Sequence, residues 1–408
     1  MRPLLYLAHR LPFPPNKGDK IRSFHLLRHL AQRWRVHLGC FVDAQEDLAH
    51  VPELARYCAS HCALPMNPRL ARLKSLRGLL SGEALTLPYY RSAAMQRWVA
   101  DTVAHENIAH AVVFSSAMAQ YTEGLNGVRV VNDFCDVDSA KWEQYSRSHA
   151  WPVSWVYGRE GERLLVSERE AAARSAACIF VTEPEARLFR ELAPEVADKV
   201  HAIECGVDTA FYDPRADRAS PYAAGEVPIV MTGVMDYWPN IDAATWFARA
   251  ALPSIARAHP AVRFYIVGMN PAPTVQALSA DPRVVVTGKV ADVRPWVQHA
   301  RVVVAPLRVA RGVQTKVLEG MALGRPVVVS AASAEAVPGR PGEDYAVATT
   351  SQDFIDRVGD LLDPVAGEAM GLRARARILS DCDWDRNLGA LDALLEPEAP
   401  PEVSRHAR

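Results

Sequence analysis

The sequence predicts an α/β protein made of two doubly wound, parallel-sheet domains. Short apolar runs such as VVVAP (302–306) and PVVVS (326–330) lack polar alternation, the mark of strands buried on both faces of a parallel sheet. These runs alternate with longer amphipathic stretches. The β/α series also occurs twice, separated by the Pro/Gly-rich interval YDPRADRASPYAAGEVP (212–228), and 408 residues exceed what one hydrophobic core holds.

In order, the first series places strands at Leu4–Ala8, Val36–Phe41, Ala111–Ser115, Arg129–Asp133, Cys178–Thr182 and Val200–Glu204. The second places them at Ile229–Gly233, Arg263–Gly268, Val284–Thr287, Val302–Ala305 and Pro326–Ser330. Helices are expected at Asp19–Gln32, Glu160–Ala177, Asp242–Ala258 and Thr315–Leu323. The domains read as 1–215 and 216–382, followed by a leucine-rich helix at 383–396 that crosses back to the first domain. A proline-rich, charged tail at 397–408 is expected to be disordered.

A formal net charge of −1 argues against a nucleic-acid binder that works by bulk charge. The opening MRPLLYLAHRLPFPP has too short an apolar run for a signal peptide, and no run approaches the roughly 18 residues that cross a bilayer, so a cytoplasmic protein is expected. Seven cysteines without a paired framework fit a reducing compartment. Cys58, His61 and Cys62 lack a second cluster at zinc-binding spacing, so no metal site is expected there.

In open α/β sheets ligands bind beyond the carboxyl ends of strands, which directs attention to the loops that follow them. The richest is Arg301–Ser330, where a loop and short helix carrying Arg308, Arg311, Lys316 and Glu319 lie between two buried strands. Gly312 allows a tight turn into a helix near Val313, and the free amides and dipole of such an entrance attract anions. Lys316 adds a charge one turn in, and Glu319, three residues later, shares its face and is able to accept two hydrogen bonds from a ribose diol. A phosphate and a ribose together make a nucleotide; the plain alternative is a solvent-facing Lys–Glu pair.

In the first domain, Lys17, Gly18 and Arg22 at the start of a helix form a candidate anion entrance, with a capped helix showing its cations to water as the alternative. NDFCDVDSAKW offers Asp133, Asp136 and Asp138 after a strand. Asp133 or Asp136 is the candidate base or orienting acceptor for a substrate hydroxyl, and Asp138 a candidate helix cap. His9 is a reserve candidate. RLARLKSLRGLL (69–80) sets Leu70, Leu73, Leu76, Leu79 and Leu80 at helical spacing among Arg69, Arg72, Lys74 and Arg77. It is either a basic amphipathic helix for an anionic membrane surface or a helix packing its leucines inward. Trp142, Tyr145, Trp151, Trp155 and Tyr157 form a dense aromatic group, for sugar stacking, for a membrane interface or for packing.

RGVQTKVLEGMALGRPVVV resembles the donor-binding motif of family 4 glycosyltransferases, which have the GT-B fold. Leu318, Glu319, Gly320, Met321, Ala322, Gly324, Pro326 and Val327 carry the likeness. MTGVMDYWPNIDAATWF resembles the opening loop of that family's donor domain, and IECGVD its Asn-Gly-Val-Asp element with Cys205 in place of Asn. HRLPFPPNKGDKIRSFHLLRHLA and VNDFCDVDSAKW resemble the branch found beside exosortase (PEP-CTERM) exopolysaccharide genes. The resemblance implies two Rossmann-like domains facing across a cleft. It also implies transfer of a sugar, with retention of configuration, from a nucleotide-diphosphate sugar to a lipid-linked (polyprenyl) or growing saccharide acceptor, without a metal or other cofactor. Glu319 would bind the donor ribose. Lys316 and the backbone of Gly312, Val313, Gln314 and Thr315 would face the diphosphate and sugar, beside the loop of Gly233 and Met235. Lys316, Asp133 and Asp136 are the candidate catalytic groups.

Two departures matter. The family's first motif glutamate aligns with Arg311, and the loop GVMDYWPN lacks the cations that usually follow the first donor-domain strand. Arg311, Arg308 or Lys316 is expected to supply that charge. Alternatively, Arg311 marks a nucleotide-sugar-binding protein without catalysis. A nucleotide-sugar epimerase on the same scaffold is a further alternative, although its acid and histidine arrangement is not evident. If Arg311 contacts phosphate, Arg311→Glu loses donor affinity in titration calorimetry; full affinity in that variant overturns the exchange.

Overall fold

The structure, a computed structural model, describes residues 1–15, 18–310 and 313–396; Lys17, Arg311, Gly312 and the expected tail at 397–408 lie outside them. The chain divides into two units, one formed by Met1–Glu204 with the described residues from Asp385 onward, the other by Cys205–Trp384. The first unit holds strands β1 (Arg2–Ala8), β2 (Trp34–Val42), β3 (Ser60–Pro65), β4 (His110–Phe114), β5 (Arg129–Cys135), β6 (Ala177–Phe180) and β7 (Val200–Ala202). Their order is 3-2-1-4-5-6-7, and every neighbouring pair is parallel. The second unit holds β8 (Val227–Thr232), β9 (Val262–Val267), β10 (Val284–Gly288), β11 (Val302–Ala305), β12 (Val327–Ser330) and β13 (Ala346–Ala348), in the order 10-9-8-11-12-13, again all parallel. Each sheet reverses its winding once, between β1 and β4 and between β8 and β11, so each has a crevice at its carboxyl edge.

The Val-rich runs are buried because helices cover both sheet faces; β11 and β12 are buried at every position. β3 and β13 were not expected from the sequence. β3 is a partly exposed edge strand with the unpatterned sequence SHCALP, and β13 has only three residues. The helix expected at Asp242–Ala258 is two helices, Trp238–Ala250 and Leu252–Ala258, and Pro253 at the start of the second explains the break. The helix expected at Glu160–Ala177 runs from Val153 to Arg174, leaving Ala177 to open β6. The last helix, Trp384–Leu395, packs Leu388, Leu391 and Leu395 inward. Asp392 on it meets His29 at 3.2 Å and Arg33 at 2.5 Å, and Arg129 Nε donates to the Leu394 carbonyl at 2.9 Å, so the helix is tied to the first sheet.

The first unit is also held by a buried ion pair. Arg22, on helix Gly18–Arg33, donates through Nε to Asp133 Oδ2 at 2.8 Å and through Nη1 to the Ile203 carbonyl at 2.9 Å, and its Nη2 stands within ion-pair distance of the same Asp133 oxygen, at 2.8 Å. Asp133 Oδ1 accepts the Cys135 amide at 3.1 Å. Burial pushes the Asp133 carboxyl above its usual range, and the Arg22 charge opposes that rise. The expected roles of Arg22 as an anion contact and Asp133 as a base are therefore corrected. Both side chains are essentially unexposed and bonded to one another, joining the first helix to β5 and to the segment after β7. Removing one partner strands a buried charge. Arg22→Met is expected to lower stability by about 3–5 kcal/mol in urea unfolding, and the double variant Arg22→Met/Asp133→Leu by much less.

Candidate functional site

The second unit concentrates polar groups at the carboxyl edge of β8, β9, β11 and β12. The residues after β8 and β9, Gly233 and Gly268, approach so closely that a Cβ on Gly268 would lie 1.7 Å from the Gly233 carbonyl oxygen; both have positive φ, 154° and 156°. Only glycine fits such a crossing. A Cβ on Gly233 would meet the Lys316 ammonium at 3.3 Å, so the bare backbone of this loop lies directly against that lysine. Met235, two residues on, is a core residue, and only its backbone reaches the loop, pairing with Met269 and Ala272.

Lys316 and Glu319 belong to helix Thr315–Ala322, whose other face buries Val317, Leu318, Gly320, Met321 and Ala322. Gly320 keeps that approach close, because a Cβ would stand 3.3 Å from both Val303 and Val327 and would press on them. The helix thus lies flat on β11 and β12 and presents its first turn outward. Among the described residues no side chain caps that turn; Gln314 stands at the cap position, with Val313 before it and Thr315 opening the helix. Lys316 Nζ donates to Asn240 Oδ1 at 2.5 Å, and Asn240 Nδ2 donates to the Val234 carbonyl at 2.9 Å. Burial lowers the Lys316 pKa to about 8, against the raising influence of Glu319. Burial raises that of Glu319, against the Tyr212 hydroxyl that donates to it and the Lys316 charge. Asn240 and Tyr212 were not singled out from the sequence. Tyr212 is brought in by Arg375, whose Nη1 donates to the Tyr212 carbonyl at 2.8 Å and also to that of Ala322 at the end of the same helix. Arg308 is engaged by Asp242, with Nε 2.9 Å from Oδ2, so its charge is already partly matched.

A groove of about 470 Å³ lined by Tyr222, Glu226, His299, Arg301 and Glu368 lies at the opposite, amino end of these strands, away from this polar edge.

Of the expected anion entrance in the first unit, Lys17 lies outside the described residues and Arg22 is buried against Asp133. Gly18 is exposed at the helix start, but the next residue, Asp19, occupies the first turn and takes Arg10 Nη1 at 2.7 Å and His9 Nε2 at 3.3 Å. Burial opposes ionisation of Asp19, and His9 and Arg10 together hold its carboxyl well below the usual range. Asp136 is placed differently from Asp133. A bulge in β5 against β6 and a positive φ of 66° at Cys135 turn the chain just before it. Its Oδ1 is buried and has no hydrogen-bond partner among the described residues, as is true of Ser116 Oγ after β4 and His9 Nδ1 after β1. Three polar atoms without partners thus stand after three adjacent strands. Burial raises the Asp136 pKa to about 7, with Lys141 opposing and Glu185 and Asp138 adding to the rise. Asp138 caps nothing; Glu168 and Glu185 bind the Ser139 and Val137 amides instead. Among the described residues, no three His, Cys, Asp or Glu side chains are grouped to hold a metal ion.

Residues 226–364 match the family model for glycosyl transferases group 1. This segment contains Gly233, Asn240, Lys316 and Glu319, but not Tyr212 or Arg375. No curated protein sequence matches the chain. Among solved structures, HepE from Anabaena in complex with UDP superposes with a TM-score of 0.68 at 15% identity, over 97% of this chain and 99% of that one. Sucrose-phosphate synthase from Thermosynechococcus elongatus gives 0.70 at 16% identity, over 97% and 98%. WaaG, a glycosyltransferase involved in lipopolysaccharide biosynthesis, gives 0.65 at 12%, over 97% and 100%. At such identities the likeness shows the fold, which is GT-B.

The Lys316 ammonium is charged below pH 8 and loses its proton above it. If the site takes a diphosphate such as UDP, its affinity is expected to fall as pH rises through about 8, approaching tenfold per unit beyond it. Calorimetry should show that dependence in the wild type and a flat profile in Lys316→Met.

Proposed function

We propose that the protein is a retaining glycosyltransferase that moves a sugar from a nucleotide-diphosphate sugar to a lipid-linked or growing exopolysaccharide acceptor, at the inner face of the cell membrane. The observation that carries this reading is the Lys316–Glu319 pair on an uncapped helix start, set against the bare glycine backbone of Gly233. Glu319 accepts the donor ribose hydroxyls and gives up its bond from Tyr212 to do so. Lys316, the amides at Val313–Thr315 and the neighbouring Gly312 and Arg311 hold the diphosphate. Charge on the departing diphosphate grows in the transition state, and fixed donors aimed at it lower the barrier without reorganising. Lys316 is suited to that work because its partly desolvated ammonium is restored to full charge by an approaching phosphate. Asp136 is the acceptor-side group, a carboxylate above pH 7 whose free Oδ1 orients a hydroxyl. The reading uses no metal.

A thermal-shift panel of UDP, GDP, ADP and their sugars tests it. One nucleotide series is expected to raise the melting temperature clearly, since a ligand at about 100 times its Kd adds about 2.7 kcal/mol. That rise should disappear in Glu319→Ala. Transfer of the labelled sugar with its anomeric configuration retained, read by NMR, supports the enzyme. Binding without transfer or hydrolysis leaves a nucleotide-sugar-binding protein, and inversion overturns the retaining assignment.

A further inference from the structure

The segment Pro68–Ser81 folds as two short helices, Pro68–Ser75 and Gly78–Ser81, and it is oriented against the usual amphipathic rule. Its buried positions are the small residues Ala71, Ser75 and Gly78. Its leucines face outward: Leu70, Leu73, Leu76 and Leu79 are exposed, and Leu80 is 93% exposed. Arg69, Arg72, Lys74 and Arg77 stand exposed among them, and none makes an ion pair with a described residue. No acidic residue occurs between Met66 and Gly82.

The aromatic group joins this surface. Trp151 is 81% exposed, and Val153 and Trp155 are exposed beside it at the start of helix Val153–Arg174. One turn after Trp155, Arg159 donates to the Gly78 carbonyl at 2.7 Å and to that of Glu83 at 3.2 Å. Glu160 accepts the amides of Leu85 and Thr86 at 2.6 and 2.9 Å. These bonds fasten the long helix, one turn after Trp155, to the end of the leucine segment, which brings these two distant parts of the sequence together.

We propose that this surface, formed by Leu70, Leu73, Leu76, Leu79 and Leu80 with Trp151 and Trp155, docks the first unit onto an anionic lipid bilayer. Leucines reach the acyl boundary, the indoles sit at headgroup depth, and the four cations meet lipid phosphates. A second copy of the chain fits poorly, because pairing the surface with itself sets four unmatched cations against four more. Among the described residues no helix is long and apolar enough to cross a membrane, so the attachment is interfacial. It does not depend on the sugar-transfer reading, and Glu319→Ala should bind vesicles as the wild type does.

The test is flotation of the full chain with vesicles of phosphatidylglycerol mixed with phosphatidylcholine, against phosphatidylcholine alone. The wild type should float with the anionic vesicles only, and less as salt rises. Trp151→Ser/Trp155→Ser should lower partition at least tenfold. Arg69→Glu/Arg72→Glu/Lys74→Glu/Arg77→Glu should abolish it, since each cation contributes about fivefold. All variants should keep the wild-type melting temperature, because the altered side chains are exposed. Leu372→Ser/Leu379→Ser, exposed leucines of the other unit, should change nothing. The proposal is overturned if the wild type stays unbound, if the tryptophan variant floats undiminished, or if sedimentation shows these residues holding a dimer instead.

Discussion

A parallel sheet covered by helices on both faces leaves its strand ends as the places where polar chemistry is affordable. The second sheet shows that constraint at β11 and β12, which are buried throughout, with Lys316 and Glu319 on the helix that follows the end of β11. The helix bearing Lys316 and Glu319 is pressed so closely on β11 and β12 that a side chain at Gly320 would push on Val303 and Val327. That closeness fixes the height of the two charged groups above the sheet. The Gly233–Gly268 crossing removes side-chain bulk from the same level, so a ligand there would meet backbone and two charges, not a wall of side chains.

Within that frame the site is built from groups that are polarised but not fully satisfied. Lys316 leans on a neutral amide, Asn240, and on the nearby Glu319, while burial weakens its hold on a proton. Glu319 is balanced by a phenol and an ammonium. Such an arrangement tolerates a third charge better than a closed ion pair does, since a phosphate relieves the desolvation of the lysine instead of competing for it. The contrast with Arg22 and Asp133 is instructive. There the two charges are buried and meet one another directly, so the pair ties the first helix to β5.

Much of this was legible in the sequence. Continuous Val runs announced the strands, and the Lys316–Glu319 spacing announced a helix face with both charges on it. What the sequence concealed has physical causes. Tyr212 and Asn240 meet the site from 104 and 76 positions before Lys316, and neither distance nor pattern in the chain foretells the meeting. Arg22 and Asp133 looked functional because charged residues after strands and at helix starts usually face solvent. Only the third dimension brings them together, 111 residues apart, under the helix. Asp136 and Asp133 are indistinguishable by type and neighbourhood; a bulge in β5 separates their fates. Likewise, leucine periodicity signals a helix but does not say which way it is turned.

That last ambiguity has a consequence for how the segment at Pro68–Ser81 tolerates change. A common surface helix guards its large apolar residues and lets the opposite face drift. Here the inner positions are small because the backbone sits close: a Cβ on Gly78 would lie 3.2 Å from the Glu83 carbonyl oxygen and from Leu85. A larger residue at Gly78 would press on both, and Ala71 and Ser75 are buried beside it, whereas the exposed leucines outside have room to exchange for other greasy residues. Rotational freedom is gone as well, for the ring of bulk cannot be swung inward to hide. The smallest residues of the segment, not the largest, are the ones that set its heading.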